Sequence, residues 1–216
     1  ERQLRKELGQ IPSLGERAAI AKRLRQIAAD DPNDTMKLRA LWSLVAIGDS
    51  KDTDFIPFLK SPNEHLRVWS IRFLTDRFPI DTADGKQLAS PPSMDPYLLK
   101  VLESMAFNDT SGLVRLTLAS TLQRLPLESR KGIALELLAH LSDAQDHNLP
   151  FMVWYGIIPL ILQRPQDLEE LALNCQWPSI QQWMGRALAE NVDRNPSAFN
   201  SVLSQVASKN PAMLPS

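Results

Sequence analysis

The chain has 216 residues, a formal charge of −1 from 24 basic and 25 acidic side chains, and a single cysteine. That length holds one large domain or two small ones with a substantial core, and the near-neutral balance, with a pI of about 6.4, gives no global field for nucleic acid or an anionic membrane. The lone Cys175 excludes an internal disulfide, a cysteine-based zinc site and a CxxCH haem attachment.

In chain order, Leu14 to Ala29 places Ala18, Leu24, Ile27 and Ala28 on one face of a 3.6-period helix, and Asp30-Asp31-Pro32-Asn33-Asp34 ends it. Thr35 to Ile47 repeats the pattern with Leu38, Leu41, Trp42, Val45 and Ala46 and closes on Gly48, a suitable residue to follow a helix. These two make an antiparallel hairpin. A second hairpin pairs a short helix, Asp54 to Leu59, with Glu64 to Phe78, whose Leu66, Trp69, Phe73 and Leu74 face inward. Residues 79–96 are rich in turn formers and proline and lack periodicity, which predicts an inserted loop. Helices resume at Tyr97 to Phe107 and Gly112 to Leu125, then at Ser129 to Leu141 and after Asn148. Gln166 to Asn174, Ser179 to Asn191 and Pro196 to Ala207 close the series.

The most apolar stretch is Asp146-His147-Asn148-Leu149-Pro150-Phe151-Met152-Val153-Trp154-Tyr155-Gly156-Ile157-Ile158-Pro159-Leu160. Asn148 can accept a hydrogen bond from a free first-turn amide, Pro150 loses nothing in the first turn, and Pro159 must kink or stop the helix nearby. Apolar side chains point almost all round, the mark of a buried central helix. The apolar run Leu149 to Leu162 is too short and too interrupted by proline to span a membrane, and Glu1 to Lys6 lacks the apolar core of a signal peptide. The chain thus reads as soluble. Its start at a charged helical segment without Met, and its end in Asn210-Pro211-Ala212-Met213-Leu214-Pro215-Ser216, fit a piece of something longer.

Aligned on their first apolar residue, the second helices begin at Leu38, Leu66, Val114, Leu149 and Ile180, spaced by 28, 48, 35 and 31 residues, and the longest interval holds the loop. With roughly fifteen loop residues taken out, every interval lies in or near the range of two-helix solenoid repeats. Arg39, Arg67 and Arg115 recur after the first apolar residue, each behind a polar turn. Such arginines could form a basic ladder, but the stronger expectation is that each reaches carboxylates or turn carbonyls of an adjacent repeat, with Asp34, Asp109 and Asp146 as reasonable partners. His147 beside Asp146 lacks the nucleophile or third ligand that catalysis or metal binding needs, and belongs in the turn before the central helix. Trp154 and Tyr155 could stack on a ligand; the expectation is core burial, as for Trp42, Trp69, Trp177 and Trp183. No phosphate loop, GxSxG, HExxH or paired acids on one face occur, so no cofactor and no catalysis are expected of this chain.

The Asp/Asn-rich turn followed by Leu-Arg or Val-Arg and an apolar helical face resembles HEAT repeats over roughly residues 14 to 208. The segment from Asp146 to Ile157 is more specific: it resembles the HEAT region of large PVC-type bacterial membrane-bound dehydrogenases. In that family the region lies between a sugar-dehydrogenase-like β-propeller and a c-type cytochrome domain. The resemblance implies a connector in an extracytoplasmic, periplasmic redox protein, or a helper of electron transfer, although neither a propeller nor a haem motif is present here.

The expected fold is therefore all-α, an α-α superhelix of about five or six HEAT-like hairpins forming a single domain over 1–216. The expected function is a non-catalytic scaffold or protein-interaction module whose partner is a protein or neighbouring domain, with no membrane insertion. Interface or repeat-stabilising roles fall to Arg39, Arg67, Arg115, Asp146, His147, Asn148, Trp154 and Tyr155, with the loop as a further binding segment. A HEAT-fold nucleic-acid-binding or DNA base-excision protein is the alternative, disfavoured by the neutral charge.

Overall fold

A computed structural model describes residues 14–80 and 93–209, of which Leu14 and residues 205–209 are described by their backbone alone. The described residues are helical, with no strand among them. By contact density the chain divides into two compact units, residues 1–74 and 75–216.

The first unit holds α1 (Leu14–Asp30), α2 (Asp34–Ala46), the single turn α3 (Asp52–Phe55) continued by a 3-10 turn (Ile56–Lys60), and α4 (Glu64–Thr75). Helices α1 and α2 pack as the expected hairpin, and Gly48 ends α2 at φ 72°, a conformation costly for any residue with a Cβ. Ala21 and Ala28 of α1 are buried, as are Ala40, Leu41 and Leu44 of α2. Ala18, Trp42, Val45 and Ala46, all expected on the inner faces, are exposed.

The second unit contains α5 (Pro96–Asn108), α6 (Gly112–Thr121), α7 (Arg130–Leu138), α8 (Leu149–Ile157), α9 (Leu160–Gln163), α10 (Pro165–Asn174), α11 (Pro178–Glu190) and α12 (Pro196–Lys209). Its packing alternates. Helix α5 lies against α7, α7 against α10 and α10 against α12, while α6 lies against α8 and α8 against α11. Two rows result, joined by the sequential pairs α5 with α6, α7 with α8 and α10 with α11. Between them Leu102, Leu118, Leu122, Ile133, Leu137, Val153, Ile157, Leu168 and Ile180 are fully buried, each contributing about 1.5–3 kcal/mol relative to exposure.

One local device starts the second helix of successive hairpins. A polar side chain two residues before the cap accepts the capping residue's own N–H: Asp31 from Asn33, Ser61 from Asn63, Asp109 from Ser111 and Asp146 from Asn148, at 2.8–3.2 Å. Asn33, Asn63 and Ser111 then accept from the first helical turn, which satisfies amides that have no helical partner. The polar turns of the sequence are thus helix starts. Of the expected loop at 79–96, residues 81–92 lie outside the described residues, and α5 already begins at Pro96, with Asp95 accepting from Leu98 N.

Candidate functional site

The recurrent arginines meet three different environments. Arg115, on the first turn of α6, is 8% exposed. Its Nε and Nη2 donate to the two oxygens of Asp143, at 2.5 and 2.8 Å, and its Nη1 donates to the carbonyl of Asp109 at 2.7 Å. The planar fork matches the carboxylate in two parallel bonds. Arg67 is half-buried and donates to the turn carbonyls of Ser61 and Pro62. Arg39 is exposed, and no described residue accepts from its guanidinium. Of the carboxylates named as partners, Asp109 gives Arg115 its carbonyl while its carboxylate accepts from Ser111 N, Asp34 accepts from Asn63 Nδ2 at 2.9 Å, and Asp146 is committed to its own turn.

Two arginines that the repeat did not single out also link separate elements. Arg130 is 1% exposed and donates from Nε to the carbonyl of Leu125 and from Nη1 to that of Gly156, both at 2.8 Å. It thereby ties the start of α7 to the end of α8. Arg25 forks onto Asp54 at 2.8 and 3.1 Å and also reaches the carbonyl of Asp49. The signal for these links was the period itself, because Arg25 and Asp54, Asp34 and Asn63, and Arg115 and Asp143 are 29, 29 and 28 residues apart. That is one repeat length.

At the entry to α8 the structure corrects one expectation. Asn148 makes no capping bond with its side chain; Asp146 Oδ1 accepts from both Asn148 N and Leu149 N at 2.8 Å. These two amides, Leu149 first, hold the Asp146 carboxyl below its ordinary value. His147 sits exposed in that turn. Among the described residues no group of three or more His, Cys, Asp or Glu could hold a metal ion.

The central helix is half-buried rather than enclosed. Leu149, Val153, Gly156 and Ile157 face α6 and α7, and a Cβ on Gly156 would overlap Leu122, so glycine sets the closeness of α6 and α8. Pro159 stops the helix as expected, and α9 begins one residue later. On the opposite side Phe151 is 44% and Tyr155 45% exposed, and Trp154 is half-buried. Trp183 of α11 completes a patch, its ring 5.2 Å from Phe151 and 5.9 Å from Trp154. Core burial therefore fails for Tyr155 and holds only in part for Trp154, because α6, α7 and α11 cover only part of α8. Trp177, at the start of α11, is buried as expected.

A second aromatic cluster lies in the first unit. Trp42 of α2 is 46% exposed and stands 4.1 Å from Trp69 of α4, with Phe73 beside both and the Arg72 guanidinium 4.8 Å over Trp69. In each unit, then, large rings stay partly in water on adjacent second helices.

Compared with family models, curated proteins and solved structures, the chain matches none of them.

Proposed function

We propose that the chain is a HEAT-like α-solenoid scaffold that does no chemistry itself and docks a protein through the face formed by α8 and α11. One observation carries the reading: Phe151 and Trp154 of α8 meet Trp183 of α11, Tyr155 follows Phe151 by one helical turn, and Phe151 and Tyr155 are each more than 40% exposed. Large aromatic rings left in water cost solvation, and clusters of them are characteristic of protein interfaces, where Trp and Tyr contribute most of the binding energy. Two further features support the solenoid: the alternating rows α5–α7–α10–α12 and α6–α8–α11, and the side-chain links that recur at one repeat length. Within each row consecutive helices pack against one another. The further reading, a connector inside an extracytoplasmic dehydrogenase–cytochrome protein, rests on the resemblance of Asp146 to Ile157 alone.

Tyr155→Ser tests the carrying observation. Serine and tyrosine have similar helix propensity, so a ring kept for a partner can be removed at a cost within about 0.5 kcal/mol in urea unfolding. A loss of about 2 kcal/mol or more would return Tyr155 to the core and remove the support.

A further inference from the structure

The first unit contains a cleft of about 520 Å³ between the C-terminal half of α1, the first turns of α2 and the 3-10 turn that follows α3. Small-molecule sites commonly fall in a range of roughly 300–1,000 Å³. Its floor is apolar: Ala28, Leu41, Leu44 and Leu66 line it, none of them more than 3% exposed. One wall is fixed by the Arg25–Asp54 fork, in which Asp54 also accepts the N–H of Lys51. That pair is electrically spent.

The remaining charges are Asp34, Lys37 and Lys60. Asp34 accepts from the neutral amide of Asn63. Lys37 is half-buried and Lys60 exposed, and no described residue accepts from either ammonium. Among these three, two cations against one carboxylate leave one positive charge in excess, while Asp49, 3.4 Å from Arg25, adds a carboxylate to the Arg25–Asp54 wall. Such a balance suits a single negative charge and not a polyphosphate, while the apolar floor gains nothing from a wholly polar guest.

We propose that this cleft binds a small amphipathic monocarboxylate, its apolar chain on Ala28, Leu41, Leu44 and Leu66 and its carboxylate met by Lys37 and Lys60. The site is independent of the α8–α11 patch, which belongs to the other unit, so either can fail without the other.

Decanoate is the probe, with decanol as its neutral counterpart, and amide chemical shifts of the labelled chain are the readout. Decanoate is expected to shift Ala28, Lys37, Leu41 and Lys60 saturably and to bind about fivefold to tenfold more tightly than decanol, the worth of two exposed charge pairs. In K37Q/K60Q that advantage disappears while decanol binds as before. Ala29→Trp, on an exposed cleft-lining position, blocks both ligands, and spectral dispersion shows that each variant is folded. Equal affinity for decanoate and decanol would overturn the proposal. So would an unchanged decanoate affinity in the folded K37Q/K60Q variant, or shifts that are absent or lie elsewhere.

Discussion

Arg115 holds Asp143 through both carboxylate oxygens from the opposite end of the intervening hairpin, with side chains 9% and 12% exposed. Neither charge can retreat into water. Removing one partner strands the other, so D143A is expected to cost about 3–5 kcal/mol in urea unfolding. The pair itself need not be favourable overall. The double variant R115M/D143L, which removes both charges and keeps apolar volume, is expected to lose far less than D143A alone. Equal losses would show that the pair, and not the stranded charge, sets the stability.

Gly156 is expected to resist even a methyl group. The added Cβ would overlap Leu122, so α6 and α8 must separate, and G156A should cost about 1–3 kcal/mol although alanine favours helices. Adding L122G removes the Leu122 Cβ that the methyl would meet. The double variant should therefore lose less than the summed single losses, as read by a double-mutant cycle of unfolding free energies.

Asp146 links stability to acid. Its carboxyl is held below the ordinary 3.8 by the Leu149 and Asn148 amides, so the folded chain takes up this proton less readily than the unfolded one. Its contribution is complete above the ordinary value and is lost as pH falls through and below it. D146A should lower stability near neutral pH by about 1 kcal/mol, the usual worth of a helix cap, and should flatten this part of the acid limb. A variant that weakens equally at pH 7 and pH 2.5, by ~1 kcal/mol at both, would break the linkage.

Cys175 is buried, and burial pushes its thiol up to about 11. The thiolate is the reactive form, so the native chain should resist iodoacetamide at pH 8 (a condition ~3 units below that value) and label only as it unfolds. Rapid labelling of the folded chain would contradict this placement.

Helix positions were legible in the sequence wherever capping and period agreed. Asn33, Ser111 and Gly48 mark ends that fall within a residue of the expected ones, and Pro159 stops α8 where its missing N–H requires. What periodicity could not show was which apolar face had a neighbour. Helix α8 is hydrophobic on all sides, but α6, α7 and α11 cover only part of it, so Phe151 and Tyr155 remain in water. The same holds for Trp42 on α2. Arg130 was hidden for a different reason: it donates to the backbone carbonyls of Leu125 and Gly156, and a carbonyl leaves no trace in residue identity. The short turns Leu141–Gln145 and Leu160–Gln163 were missed because one turn is too short to show a helical period.

The central claim is that a protein docks on the α8–α11 face, and site-specific photo-crosslinking in the cells that make the protein tests it most directly. A benzophenone side chain at Tyr155 is compared with one at the exposed Lys100 of α5, in the other row. The account predicts one protein or neighbouring domain captured from position 155 and not from 100, whose purified form binds the Y155S variant about tenfold or more weakly than the unaltered chain. Capture of the same species from both positions, or an unchanged affinity for Y155S, would contradict it.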